Sequence, residues 1–260
     1  MTNRRIDLSQ ARVLISNDDG IHSPGIKVLE KAVRDIAREV WVVAPETEQS
    51  ATSHSLTLRR PLRIRNVSEG RFAVDGTPTD SVLLGVLKVL DGQRPDIVMS
   101  GVNRGGNMGE DVHYSGTVAA AMEGSLLGIP SIAFSQIYDD QRNVRWSTSE
   151  HWVPEILKRL GEFEFAPGSL LNVNIPDCRA ADVTGIEVTR QGRRKLGGDI
   201  QQGRDPRGEA YYWVGVQRDE EKFQDGSDLE ACLRGAIAIT PLTMDLTKGS
   251  DLERLKKVFP

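Results

Sequence analysis

The sequence predicts a doubly wound α/β fold. Three short, nearly continuous apolar runs rich in β-branched residues carry that expectation: RVLIS (12–16), VWVVAP (40–45) and PDIVMSG (95–101). Runs without alternation are the pattern of parallel strands buried on both faces. Between the first two, Ile26, Leu29, Val33, Ile36 and Ala37 recur at helical spacing, with Pro24 near the helix start. Strand, helix and strand in about 30 residues make one βαβ unit.

The remaining elements follow in order. SLTLRRPLRIRNV alternates in places and predicts edge or hairpin strands. Residues 77–90 (TPTDSVLLGVLKVL) predict a second amphipathic helix, with Thr79 or Asp80 as its N-cap. GTVAAAMEGSLLG (116–128) predicts an alanine-rich third helix closed by Gly128, and IPSIAFSQ a fourth strand. STSEHWVPEILKRLGEF predicts a helix, LLNVNIP a strand, and ACLRGAIAITPL (231–242) a late strand followed by a short polar helix. Residues 186–218 carry Gly, Arg and Asp clusters that fit long loops or a projecting hairpin. The expected organisation is one domain over 1–260, with a core of about 10–185 and an extension of about 186–260.

Composition narrows the function. A net charge of −4 over 260 residues speaks against a general nucleic-acid-polymer binder, which would carry a basic excess. Cys178 and Cys232, the two cysteines, are too few for a disulfide framework or a cysteine zinc site and predict buried thiols in a reducing compartment. The polar start MTNRRIDLSQ leads into a run too short for a signal-peptide core, and no segment reaches membrane-spanning length. A cytoplasmic protein without a membrane partner is expected.

In an open parallel sheet, ligands bind outside the carboxyl ends of the strands. Three polar loops fall there: Asn17–Gly20 after the first strand, PETEQSATSHS after the second and SGVNRGGNMGEDVHYSGT after the third. Asp18 and Asp19 are adjacent, so they can converge only where the chain has left the strand, and Gly20 permits that turn. A bound cation resolves the repulsion of two neighbouring carboxylates, and hard oxygen ligands suit Mg²⁺, Mn²⁺ or Ca²⁺. The competing reading is an acidic pair that complements the dipole of the following helix. Ser50 and Asn103, at the neighbouring strand ends, add neutral oxygens and favour the cation.

Ser115, Gly116 and Thr117 open the third helix, where free N–H groups and the dipole favour an anion such as phosphate. The glycine-rich stretch before them is neither a P-loop nor a dinucleotide fingerprint: no Lys follows the glycines and their spacing differs. Carboxylates, a metal and a helix N-terminus together describe a phosphate-ester hydrolase working through activated water. An aspartyl-phosphate route would call for acids spaced D-x-D, and a glycosidase for carboxyls on opposite sides of the bond. His22, His54 and His113 lie in these loops, His113 as a conceivable proton donor. RQGRRK (190–195) and Tyr211, Tyr212 and Trp213 fit a solvated face and packing residues, with reach to a substrate as the alternative.

LISNDDGIHSPGI, VVAPETEQSATSHSLTL, VDGTPTDSV and PDIVMSGVNRGGNMGEDVHYSGTVAAAMEG resemble, in order and spacing, the signature blocks of the SurE (survival protein E) nucleotidases. NVNIP, TRQGRR and ITPLTMDLT resemble the C-terminal blocks, so the likeness spans nearly the whole chain. It implies a three-layer α/β/α, Rossmann-like core with a mixed, mainly parallel sheet and a C-terminal hairpin extension exchanged in a homodimer or homotetramer. It also implies a metal-dependent phosphatase acting on nucleoside 5′- and 3′-monophosphates, in some members also on short polyphosphate. One divalent ion per subunit, Mg²⁺ or Mn²⁺, would fall to Asp18, Asp19, Ser50 and Asn103, the two acids also carrying the catalytic role. Phosphate would fall to Asn107, Ser115, Gly116 and Thr117. A metal-dependent module that binds nucleotides without hydrolysing them is the alternative. The chain departs from the family pattern at Ala51, where glycine is usual, and at the acids Glu46 and Glu48.

Overall fold

The computed structural model describes residues 3–139, 143–194, 200–214 and 223–259. In chain order its elements are β1 (Arg12–Ser16), α1 (Pro24–Arg34), β2 (Glu39–Pro45), β3 (Ile64–Ser68), β4 (Arg71–Val74) and α2 (Pro78–Leu84). Then come β5 (Ile97–Arg104), α3 (Gly116–Leu126), β6 (Ser131–Gln136), α4 (Trp146–Leu160), β7 (Ser169–Ile175) and β8 (Gly185–Val188). The chain continues with β9 (Ile200–Arg204), β10 (Ala210–Val214), α5 (Asp228–Leu233), β11 (Ala236–Thr243) and α6 (Gly249–Leu255).

Alternation within β1 sets the layering, because successive side chains leave a strand on opposite faces. Val13 and Ile15 pack with Ile26, Leu29 and Val33 of α1 and Val153, Ile156 and Leu157 of α4. Leu14 packs on the other side with Val82 of α2, with Val86 in the turn just after it and with Ala120 of α3. Helices thus cover both faces of the sheet, which explains why its strands are continuously apolar.

Nine strands form this sheet in the order β3–β4–β2–β1–β5–β6–β7–β11–β8. From β4 to β7 all neighbours are parallel, while β3 and β11 run antiparallel to β4 and β7, and β8 runs parallel to β11. Strand order reverses between β1 and β5, and that switch point is where an open α/β sheet forms a ligand crevice.

The predicted strands at 12–16, 40–45 and 95–101 appear as β1, β2 and β5, four of the five expected helices as α1 to α4, and the short polar one after the late strand as α6. Details differ. α1 stops at Arg34, and Ile36 and Ala37 of the repeat pack against the core from beyond the helix end. The N-cap of α2 is Thr77, not Thr79 or Asp80: Thr77 Oγ1 accepts from the Asp80 N–H at 3.1 Å, and Asp80 Oδ2 accepts from the Thr77 N–H at 2.9 Å. β4 and β8, short and partly exposed, escape the pattern reading, and 231–233 are the end of α5 rather than strand. Within the 186–218 stretch, β8 joins the main sheet, whereas β9 and β10 pair with each other in a separate hairpin. Tyr211, Tyr212 and Trp213 on that hairpin are exposed. Residues 195–199 and 215–218 of the stretch lie outside the described residues. Cys232 is a buried free thiol and Cys178 a half-buried one. Among the described residues no helix is long and apolar enough to cross a membrane.

Candidate active site

The turn after β1 is built from its own residues. Asn17 Nδ2 donates to the Gly20 carbonyl at 3.0 Å and to Ser23 Oγ at 2.8 Å, folding the chain back on itself. Gly20 closes the turn at φ +96°, a conformation that side-chain-bearing residues rarely adopt. Ile21 then donates to the Pro45 carbonyl at 2.8 Å, which ties this turn to the end of β2.

The acidic pair does not cap α1, whose N-cap is Ser23. Asp18 turns instead to α3. Thr117 Oγ1 donates to Asp18 Oδ1, and Gly116 lies so close that a Cβ there would stand 2.7 Å from the Asp18 Cβ. Asp19 Oδ2 accepts the Arg104 N–H at 3.0 Å, at the end of β5. Among the described residues no basic side chain forms an ion pair with either acid. Burial pushes the Asp18 carboxyl up to about 7, against the Thr117 hydrogen bond and helped by the charge of Asp19. Burial also raises Asp19; the Arg104 N–H opposes this and the nearby Glu48 charge adds to it.

The loop after β2 returns toward these acids. Gln49 donates to the Asp18 carbonyl at 2.8 Å, and Ser50 Oγ donates to Glu48 Oε1 at 2.7 Å. Beyond Ser50 the loop is pinned to the α3 side: Ser53 Oγ donates to the His113 carbonyl at 2.7 Å, and His54 Nε2 lies 2.9 Å from Glu123 Oε2 of α3. From β5, a register irregularity between Ser100 and Asn103 re-aims the strand end. Asn103 Nδ2 donates to the Gly105 carbonyl at 2.8 Å, so its Oδ1 is the atom available to a cation.

Asn107 is clamped from below. Its N–H donates to Asn174 Oδ1 at 2.8 Å, its carbonyl accepts from Asn172 Nδ2 at 2.8 Å, and its Nδ2 donates to Ser135 Oγ at 2.8 Å. Ser115 is the N-cap of α3, its Oγ accepting from the Val118 N–H at 3.0 Å. A second buried brace joins Arg194 to Asp111 at 2.5 Å, so this member of the basic cluster is not on a solvated face. Lys195 lies outside the described residues.

Asp18, Asp19, Ser50, Asn103, Asn107 and Ser115 all border one cavity of about 840 Å³ at the carboxyl ends of β1, β2 and β5. Gly116 and Thr117, which the resemblance assigns to phosphate, stand behind Asp18, and the Thr117 hydroxyl supports the acid. His22, His54 and His113 are not among the residues that border the cavity. Asn172, Asn174, Arg104 and Tyr138 were missed by sequence reasoning. The alternation N-V-N inside an apolar strand is a signal for the first two, since it aims both amides at one face.

The donor set fits a hard divalent cation. Two carboxylates, a hydroxyl and an amide oxygen are oxygen donors of the kind Mg²⁺ and Mn²⁺ take, and a cation would offset the charge of the buried Asp18 and the half-buried Asp19. Among the described residues no three His, Cys, Asp or Glu side chains gather as a metal cluster, so neutral oxygens must complete the sphere.

A doubly wound α/β sheet with an acid pair and a helix N-terminus meeting in one switch-point cavity defines the class of α/β phosphoester-handling proteins. Comparison with known proteins narrows this. The profile of the family described as survival protein SurE matches residues 13–198, and the chain belongs to that family. It is 60% identical over 253 residues to the 5'-nucleotidase SurE of Paramagnetospirillum magneticum, covering 97% of each chain. To the 5'-nucleotidase SurE of Rhodospirillum rubrum it is 50% identical, over 97% of this chain and 98% of that one. The crystal structure of the SurE protein from Aquifex aeolicus superposes with a TM-score of 0.85 at 39% identity, over 96% of this chain and all of that one.

Proposed function

We propose that the chain is a 5′-nucleotidase, a phosphoric monoester hydrolase that cleaves nucleoside 5′- and 3′-monophosphates with one bound Mg²⁺ or Mn²⁺. The observation that carries this is the convergence of the buried Asp18, the half-buried Asp19, Ser50 and Asn103 on the cavity that Asn107 and the α3 N-cap Ser115 also border. Membership of a family whose relatives are named 5'-nucleotidases supports the nucleotide as substrate.

The residues divide the work. Asp18 and Asp19 hold positive charge in the cavity, and Ser50 and Asn103 supply neutral oxygens to the same point. When bound there, the cation supplies charge to the phosphoryl oxygens and acidifies water for attack. Asn107 and Ser115, the N-cap of α3, orient the phosphate oxygens. Thr117 fixes the Asp18 carboxylate, and the buried asparagines of β7 fix Asn107. Water adds to phosphorus, the P–O ester bond breaks, and the nucleoside leaves with a proton.

Phosphate release from AMP and GMP by the purified chain tests this. Turnover is expected with Mn²⁺ or Mg²⁺, abolished by EDTA and restored by excess cation. Absence of turnover on every nucleoside monophosphate tried, with cation present, would overturn the enzyme reading in favour of a non-hydrolytic nucleotide-binding module.

A further inference from the structure

We propose that Arg104 and Tyr138 form the base-binding end of the cavity, a stacking platform that takes the nucleobase of the substrate; this deepens the nucleotidase reading and rests on it. The two side chains come from neighbouring parallel strands. Arg104 ends β5, in register with Gln136 of β6, and Tyr138 lies two residues further along the chain. The guanidinium carbon sits 5.0 Å from the centroid of the Tyr138 ring, a cation–π contact, and both residues border the cavity.

Their placement relative to the acids is fixed by the backbone. The Arg104 N–H holds Asp19, and Arg104 directly follows Asn103, so the platform begins one residue from the proposed cation site. A Cβ built on Gly105 would lie 3.7 Å from Tyr138 Cε1 and 3.8 Å from Asn103 Nδ2, which puts the ring edge and that amide around one point of the chain. Phosphate and one cation fill only part of about 840 Å³, and the remaining space falls within the range of small-molecule sites.

Guanidinium planes and aromatic rings bind planar bases through their π-faces with little regard to base identity. The pair therefore recognises the nucleoside as a planar ring and not by its hydrogen-bonding edge, so purine and pyrimidine nucleotides are both accommodated.

Tyr138→Ala in the full chain, assayed with saturating Mn²⁺ on AMP and on ribose 5-phosphate, tests the assignment. The variant is expected to raise KM for AMP about tenfold with kcat little changed, a penalty well above the one on ribose 5-phosphate, and Tyr138→Phe is expected to recover the parent KM. Equal losses on the two substrates, or an unchanged KM for AMP, would overturn the platform. Adenosine binding by calorimetry separates this from the nucleotidase reading itself. If the parent releases no phosphate from AMP, that reading falls, while adenosine bound by the parent and lost from Tyr138→Ala still supports the platform. Adenosine not bound by the parent at all overturns it.

Discussion

At the scale of single residues, Asp18 is the group on which most depends. It is buried, directly precedes Asp19, and has its carboxyl raised to about 7 mainly by burial. A folded-state pKa above the unfolded value means that the native protein keeps a proton the unfolded chain has released. That contribution to stability is present in full below about pH 4 and lost as pH rises through about 7. Asp18→Asn keeps an oxygen for Thr117 and removes the buried charge. The melting temperature of the metal-free variant should therefore match the parent near pH 4 and exceed it at pH 8, while metal-dependent turnover falls about a thousandfold or more. Equal melting temperatures at both pH values, or near-normal turnover, would contradict this. The acid pair was legible in the sequence because charge at the mouth of an apolar run is conspicuous. Arg104 and Tyr138 were not, since they are 34 positions apart by numbering and meet only through β5–β6 pairing. Thr117 was legible as a helix-start residue, but that its hydroxyl turns to Asp18 depends on the close approach of α3 to the first turn.

At the scale of elements, the loop between β2 and β3 decides whether Ser50 reaches the acids. Its anchors are the Gln49 N–H on the Asp18 carbonyl, Ser53 on the 113–114 backbone and the His54–Glu123 contact on α3. His54 does not border the cavity, so it acts by holding the loop. His54→Ala should weaken Mn²⁺ affinity about tenfold, with kcat at saturating Mn²⁺ little changed, as for other outer-sphere supports. Calorimetric titration of Mn²⁺ checks it, and an unchanged affinity would remove His54 from this role. The strands that position the site were readable because burial on both faces makes β1, β2 and β5 continuously apolar. β4, only Arg71–Val74 and half-buried over its first two residues, has too little apolar pattern to announce itself. The α2 cap was misplaced by two or three residues, because the reciprocal Thr77–Asp80 box makes Asp80 the third residue of the helix instead of its cap.

At the scale of the whole molecule, the sheet explains where the cavity lies and the C-terminal part raises a different question. β11 enters the sheet between β7 and β8, so chain far along in sequence completes the core, an arrangement that local pattern cannot reveal. The β9–β10 hairpin stands apart, with Tyr212 63% and Trp213 69% exposed, and Val258 and Phe259 near the C-terminus are exposed as well. Apolar and aromatic surface in that quantity marks interaction sites. We infer a homodimer or homotetramer in which these segments are covered by a second copy. Sedimentation at micromolar concentration should give a dimer or tetramer mass, and Trp213→Ala should weaken the assembly; a monomer mass for the parent would contradict it.

The central claim, that Asp18, Asp19, Ser50 and Asn103 share one divalent ion, is tested most directly by titrating Mn²⁺ into metal-free protein in a calorimeter. One ion bound per chain is expected, with binding lost in Asp18→Asn and weakened in Asn103→Ala. No binding by the parent, or binding that survives Asp18→Asn unchanged, would contradict it.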